Sequence, residues 1–357
     1  MKQKLGKYKS YLSYILLSLL LLILVGCSQD TAKDNDNKAE TNSEPIELTI
    51  SHFVSPKHGQ HTDVFEPFAE EVKSLTDGRV SVNIFPGAAL GAATAHYDLA
   101  TNGVADITYA IQGYTPGKFP LSSVVELPFV ARNAQEGTSI LWNLYEKFPE
   151  IQDEYSQNKV LWLFGIDNDQ ILTSKKEIKS VEDLKGLKIS TPSSASNAVV
   201  EAWGAIPVFM PMNEVYEAMQ KGVIDGRLGP YSAVSNFKLN EVTKYITEAN
   251  FYTTIFAVTM NKNSWNKLSE ADQKTIDSLL DKYRQKASDI YDRDAEIGKK
   301  AAEDSGVKIN VLSTEEEESF RKPLESIHEK WLSDMEKEGL PAQEIYDEAI
   351  KLSEEFK

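Results

Sequence analysis

The chain reads as an α/β protein of two lobes, with a ligand cleft between them and long helices towards its C-terminal end. Three observations predict this. Short apolar runs alternate with amphipathic segments from Ile46 onward, the pattern of strands connected by helices. One segment occurs twice, as Tyr97-Asp98-Leu99-Ala100-Thr101-Asn102-Gly103-Val104-Ala105-Asp106 and as Tyr216-Glu217-Ala218-Met219-Gln220-Lys221-Gly222-Val223-Ile224-Asp225. From Glu270 the sequence turns long, charged and helical.

The first element is N-terminal. Lys2, Lys4, Lys7 and Lys9 precede an apolar run from Tyr11 to Val25, and Leu24-Val25-Gly26-Cys27 closes it on the only cysteine. That order has the layout of a secretory signal. It resembles the lipobox of bacterial lipoproteins, where the chain is cut before the cysteine and the thiol takes a diacylglycerol. The run is shorter than the ~20 apolar residues of a bilayer-spanning helix, and polar sequence follows it. Residues 1–26 are therefore expected to be a lipoprotein signal peptide. Cys27 would be the lipidated first residue, holding the protein on the extracytoplasmic face of the cell membrane. Residues 27–45 offer too little apolar surface to offset the entropy of ordering, and are expected to be a flexible tether.

Processing would remove four lysines and no acid, taking the formal charge from −16 to −20. So acidic a body is repelled by nucleic acid and by anionic lipid, so neither is expected as a direct partner. With its one cysteine spent on lipid, the chain has none for an internal disulfide or a thiolate metal cluster.

Within the body, Ile46 to Ile50 has the period of a strand and His61 to Leu75 carries apolar residues at helical spacing. Val80 to Phe85 is a second strand, stopped by Pro86-Gly87. Ala92 to Thr101 reads as a helix closed by Gly103, and Val104 to Ile111 as a third strand. Lys159 to Gly165 and Leu187 to Ser190 are further short strands. In both copies of the repeat a helix end, a Gly cap and Val-x-Asp follow an apolar strand that ends at a proline, Pro86 or Pro211. Two lobes on one plan follow. Residues 46–167 and 254–292 are assigned to the first, and 168–253 and 293–357, with the C-terminal helices, to the second. A ligand belongs in the crevice between them, and a monomer that opens and closes is expected.

Gly186-Leu187-Lys188-Ile189-Ser190-Thr191-Pro192, Trp203-Gly204-Ala205-Ile206-Pro207-Val208 and the run from Asn213-Glu214-Val215-Tyr216 to Gly222-Val223-Ile224-Asp225-Gly226 carry a family resemblance. They resemble the core signature of TRAP transporter solute-binding proteins, the DctP family. Phe85-Pro86-Gly87, Leu90-Gly91 and Leu127-Pro128-Phe129 fit the same family, so the resemblance covers nearly the whole mature chain. It implies a two-lobed periplasmic-binding-protein-like fold joined by hinge strands and a long helix. It also implies a small organic acid as ligand, and delivery to the small and large membrane subunits of a cation-driven importer. No cofactor is implied.

The chain departs from the family at the expected ligand grip. Many members have an Arg at the position of Ser190, and that Arg holds the substrate carboxylate. A second cation often stands where this chain has Gln170. Charge-assisted hydrogen bonds of this kind contribute roughly 1.5–3 kcal/mol each, so an acid ligand needs another cation. Arg227, after Asp225-Gly226, is the first candidate and Lys118 a weaker one. The bland alternative is a solvent-facing Arg227 and an uncharged polar ligand held by Ser190, Gln170 and aromatic walls. His52 ends the first strand, and Phe53 and Tyr114 follow strand ends. With Tyr109, Gln112, Asn168 and Met212 they complete the expected ligand set; Met212 stands where the family often places a stacking aromatic.

Two rival classes remain. His52, His58, His61 and His96 crowd the first lobe, and His58-x-x-His61 raises a metal-binding lipoprotein of another importer. No carboxylate has diagnostic spacing, and no metal site is assigned. An extracytoplasmic enzyme on the same fold would need a catalytic motif. The chain has no Gly-x-Ser-x-Gly elbow, no phosphate-cradling loop and no His-Glu-x-x-His, so no catalytic residue is assigned.

Overall fold

In the computed structural model, which describes residues 45–356, the chain opens on β1 (Ile46–Ser51), β2 (Val80–Phe85), β3 (Ile107–Ile111) and β4 (Asn158–Gly165). Next come β5 (Asp169–Thr173), β6 (Lys188–Thr191), β7 (Ile206–Phe209), β8 (Gly226–Pro230) and β9 (Tyr245–Glu248). β10 (Ile255–Asn261) and β11 (Lys308–Val311) complete the strands. They form two sheets, ordered β2-β1-β3-β10-β4 and β11-β9-β5-β8-β6-β7. The expected signal peptide, Cys27 and residues 27–44 of the expected tether lie outside the described residues. Among those described, no helix is long and apolar enough to cross a membrane.

The sequence repeat has a structural counterpart. β1 pairs in parallel with β2 and β3, and β6 in parallel with β7 and β8. In each lobe an antiparallel strand then lies on the far side of β3 or β8. Gly103 and Gly222 take left-handed φ angles of 68° and 70°. This lets the next amide, of Val104 or Val223, donate back to Leu99 or Ala218 at 2.9 Å and close the helix. The repeated aspartates then tie neighbouring strands together. Asp106 accepts from the Thr49 amide (2.8 Å) and hydroxyl, and Asp225 from the Lys188 amide (2.9 Å). Residues 103–106 are taken up by this junction, so the third strand begins at Ile107 rather than at Val104.

Other expected elements shift for local reasons. The expected helix from His61 splits into a π-helical turn, Gln60–Phe65, and an α-helix, Glu66–Leu75. Pro67 has no N–H to donate at that junction. Ala92 to Thr101 is a 3₁₀ turn, Ala93–Ala95, followed by a short helix, His96–Thr101. β11 was read as part of a helical stretch; it lies parallel to β9 at the sheet edge.

The helix Glu270–Asp304 is 35 residues long, about 50 Å at 1.5 Å per residue. Ser269 caps it, accepting from the Asp272 amide at 3.1 Å. Its stripe of Ile276, Leu279, Tyr283, Ala287 and Ile290 is buried in the first-lobe core. Further along, Gly298 meets the Tyr231 carbonyl so closely that a Cβ would stand 1.9 Å from that oxygen. The last helix is Ala342–Glu355. It docks on the first-lobe helix Ala134–Lys147. Lys147 pairs with Glu348 at 2.8 Å, and Arg132 donates to the Ser353 carbonyl.

Candidate functional site: a cavity between the sheets

The chain passes from the first sheet to the second at residues 166–168 and returns at 249–254. Between the sheets lies a cavity of about 40 Å³. Phe53, Ile111, Ile166 and Phe256 line it from the first sheet and the loops at its strand ends. Pro192, Met212, Pro230 and Ala233 line it from the second, and Tyr291 from the long helix. Arg227 is the one lysine or arginine on the lining.

Arg227 is the second residue of β8 and is only 3% exposed. β8 pairs with β6 so that Arg227 faces Ser190, and Nη1 donates to the Ser190 hydroxyl over a long 3.4 Å. Nε has no partner. The side chain runs along the strand over Gly229, where a Cβ would come within 2.8 Å of Nε. Burial pulls the guanidinium pKa down, against the field of Tyr114 and of Asp169. A guanidinium carries five donors. Buried with so few of them answered, it keeps hydrogen-bonding capacity open at the cavity wall.

The lobes touch at this point. The Met212 amide donates to the Tyr114 hydroxyl at 2.7 Å, which leaves the hydroxyl proton free for another acceptor. Burial pushes the Tyr114 pKa up to about 12, so that proton is retained at neutral pH. Gly113 lies against Pro192 and Ser193, with no room for a Cβ.

The structure puts Phe53, Met212 and Arg227 on the cavity wall; behind it stand Ser190, bonded to Arg227, and Tyr114, packed on Phe53 at 6.1 Å between ring centres. The other five expected residues are not on the wall either. His52 is fully buried, bonded to His61 at 2.8 Å and stacked on Phe65. Tyr109 backs the wall, bonded to the Tyr291 hydroxyl and packed on Phe256. Gln112 accepts from the Tyr155 hydroxyl and borders a separate groove. The Asn168 amide donates to the carbonyls of Ala131 and Asn250, and the Gln170 amide to Asn168 O and Asn250 Oδ1. These two residues clasp the crossing segments. Lys118 also lies elsewhere, donating to Gln157. Sequence reasoning missed Ser232, Phe237, Thr254 and Tyr291 as wall residues. Their place depends on how the long helix and the return strand meet, which carries no local pattern.

The histidines do not converge on a metal. Among the described residues, no group of three or more His, Cys, Asp or Glu side chains is placed to hold one. Burial lowers the His52 pKa to about 3 and that of His58 to about 4, so both are neutral imidazoles.

Residues 50–334 match the family described as bacterial extracellular solute-binding protein, family 7, or DctP. A TRAP solute-binding protein from Rhodoferax ferrireducens, solved with copurified benzoate, is 29% identical with a TM-score of 0.82. The alignment covers 87% of this chain and 98% of that one. A marine metagenome TRAP protein specific for aromatic acid ligands, solved with 3-hydroxybenzoate, is 30% identical at a TM-score of 0.83, covering 88% and 100%. A third, from Bordetella bronchiseptica with bound (R)- and (S)-mandelate, is 27% identical at 0.81, covering 88% and 100%. With the family matched over most of its length and a two-lobed fold shared with these binding proteins, this chain belongs to the DctP family of extracellular solute-binding proteins that serve TRAP transporters.

Proposed function

We propose that the protein captures a compact aromatic acid outside the cytoplasmic membrane and hands it to the membrane subunits of a TRAP importer. The observation that carries this is Arg227, a buried guanidinium with one long hydrogen bond, on the wall of a cavity lined mostly by rings and aliphatic side chains. A carboxylate would take the free donors of Arg227, and an aromatic body would fill the apolar remainder. The volume of about 40 Å³ compares with about 10–15 Å³ for a single water on a similar measure. That favours a flat, compact ligand over a sugar acid, whose many hydroxyls would meet few partners here. The aromatic acids bound by the three similar structures support the same choice. In this reading Arg227 replaces the cation absent at Ser190, and the protein works as a monomer tethered through lipid on Cys27. Segments 166–168 and 249–254 act as hinges between lobes that divide near residues 167 and 253.

Calorimetry with benzoate and glucuronate tests the reading. The wild-type protein is expected to prefer benzoate. Arg227→Ala should weaken that binding by about 2–4 kcal/mol, roughly 30- to 1000-fold, with little change in melting temperature. Full affinity in Arg227→Ala would mean that the ligand is uncharged or is held elsewhere.

A further inference from the structure

Three carboxyls are buried where the lobes meet: Glu126, Asp167 and Asp169 are 4%, 6% and 1% exposed. Two of them are answered. The Tyr252 and Ser193 hydroxyls and the Ile255 amide serve Glu126, and the amide and hydroxyl of Ser232 serve Asp167. Asp169, the first residue of β5, has no hydrogen-bond partner on either carboxyl oxygen. It stands opposite Pro230 on β8, and the Arg227 side chain runs along β8 over Gly229 towards that end of the strand. Four groups bear on it: Arg227 from β8, Asp167 from the first crossing segment, Glu126 from the first lobe and Tyr252 from the return segment. Arg227 is the one cation among them. A carboxylate buried without a donor is strongly disfavoured, and two neighbouring carboxyls disfavour it further. One guanidinium balances one anion. Once a ligand carboxylate takes that place, Asp169 can stay buried only as the neutral acid.

We infer that the protein captures its acid together with one proton, and that Asp169 holds the proton while the lobes are shut. This rests on the carboxylate reading of Arg227 and adds a proton to what is bound. In the open protein water reaches the crossing segments, and Asp169 ionises beside Arg227. Closure over the ligand takes a proton from solvent, and opening returns it. Burial holds the Asp169 pKa well above the usual carboxylate range in the shut protein, in agreement with this. The bound form then carries more protons than the free form, so affinity falls as pH rises.

Calorimetry with benzoate in phosphate and in Tris, buffers of different ionisation enthalpy, counts the protons taken up on binding. At about pH 7.5 the wild type should take up roughly half to one proton per benzoate, and its affinity should fall by up to about tenfold per unit of rising pH. Asp169→Asn should lose most of that uptake and flatten the slope. Should it fail to fold, Asp169→Leu fills the same buried place without an ionisable group and gives the same readout. Benzoate binding without proton uptake by the wild type overturns the inference alone, as does uptake that survives in Asp169→Asn. Uptake lost only in Glu126→Gln places the proton on Glu126 and overturns it too. Unchanged benzoate affinity in Arg227→Ala overturns the carboxylate reading and the inference with it, as does the absence of benzoate binding.

Discussion

Burial between the lobes raises the carboxyl pKa values of Glu126 and Asp167 to about 7, and that of Asp169 well above its usual range. Arg227 pulls Asp169 the other way without overcoming desolvation. For such groups the folded pKa exceeds the unfolded one. Their contribution to stability is therefore full below about 4 and is lost as pH rises through about 7. His52 and His58 act in the opposite sense. Their folded values, about 3 and about 4, lie below 6.5, so their contribution is present above 6.5 and lost as pH falls towards 3. Glu126→Gln isolates the first effect. Its urea stability relative to wild type should rise by up to about 3 kcal/mol between pH 4 and pH 8; a flat difference would show that Glu126 ionises freely. At this scale Arg227 drew notice in the sequence because Ser190 and Gln170 stand where cations were expected; that it is buried rather than solvent-facing took the fold to show. The partners of Asn168 and Gln170 were not legible, because an amide near a strand end can face ligand or backbone equally well. Asn250, with its left-handed φ of 51°, decided the matter by turning its carbonyl and side chain towards both.

The turn Gln112–Tyr114 and the segment Pro192–Ser193 are the elements that meet when the cleft is shut. A Cβ on Gly113 would stand 2.3 Å from the Ser193 Cβ and 2.9 Å from the Pro192 carbonyl. Gly113→Val should fold normally yet prop the lobes apart, weakening benzoate binding by roughly tenfold or more. X-ray scattering checks it. The wild-type radius of gyration should shrink on adding ligand and the variant's should shrink less; equal shrinkage would mean that the contact yields. Strand and helix existence was largely readable from periodicity, since burial on one face imposes it. Boundaries were not. Side-chain hydrogen bonds of Asp106, and the missing amide of Pro67, set them through partners or geometry that a repeat of apolar positions does not encode. β11 escaped because four residues beside a long charged helix give too short an alternation to outweigh it.

For the whole molecule, two lobes and a cleft were legible because the repeated Gly-Val-x-Asp junction builds the same strand order twice. The docking of the last helix onto the first lobe was not, since it rests on pairs such as Lys147 with Glu348 that are distant in sequence. The expected anchor also belongs to this scale. Cys27→Ser should release the protein from cells or leave its leader uncleaved, measured by fractionation and intact mass; a normally processed, membrane-held variant would exclude the lipid. The position of β10 has a consequence for biogenesis. It lies between β3 and β4, yet leaves the ribosome and the export channel after all of β5 to β9. The first sheet must therefore wait with a gap between β3 and its edge strand β4 while the strands from β5 to β9 can already pair. Until residue 261 emerges, β3 and β4 expose edges that only one later strand can fill. During that interval an export chaperone protects most by covering the earliest part of the chain.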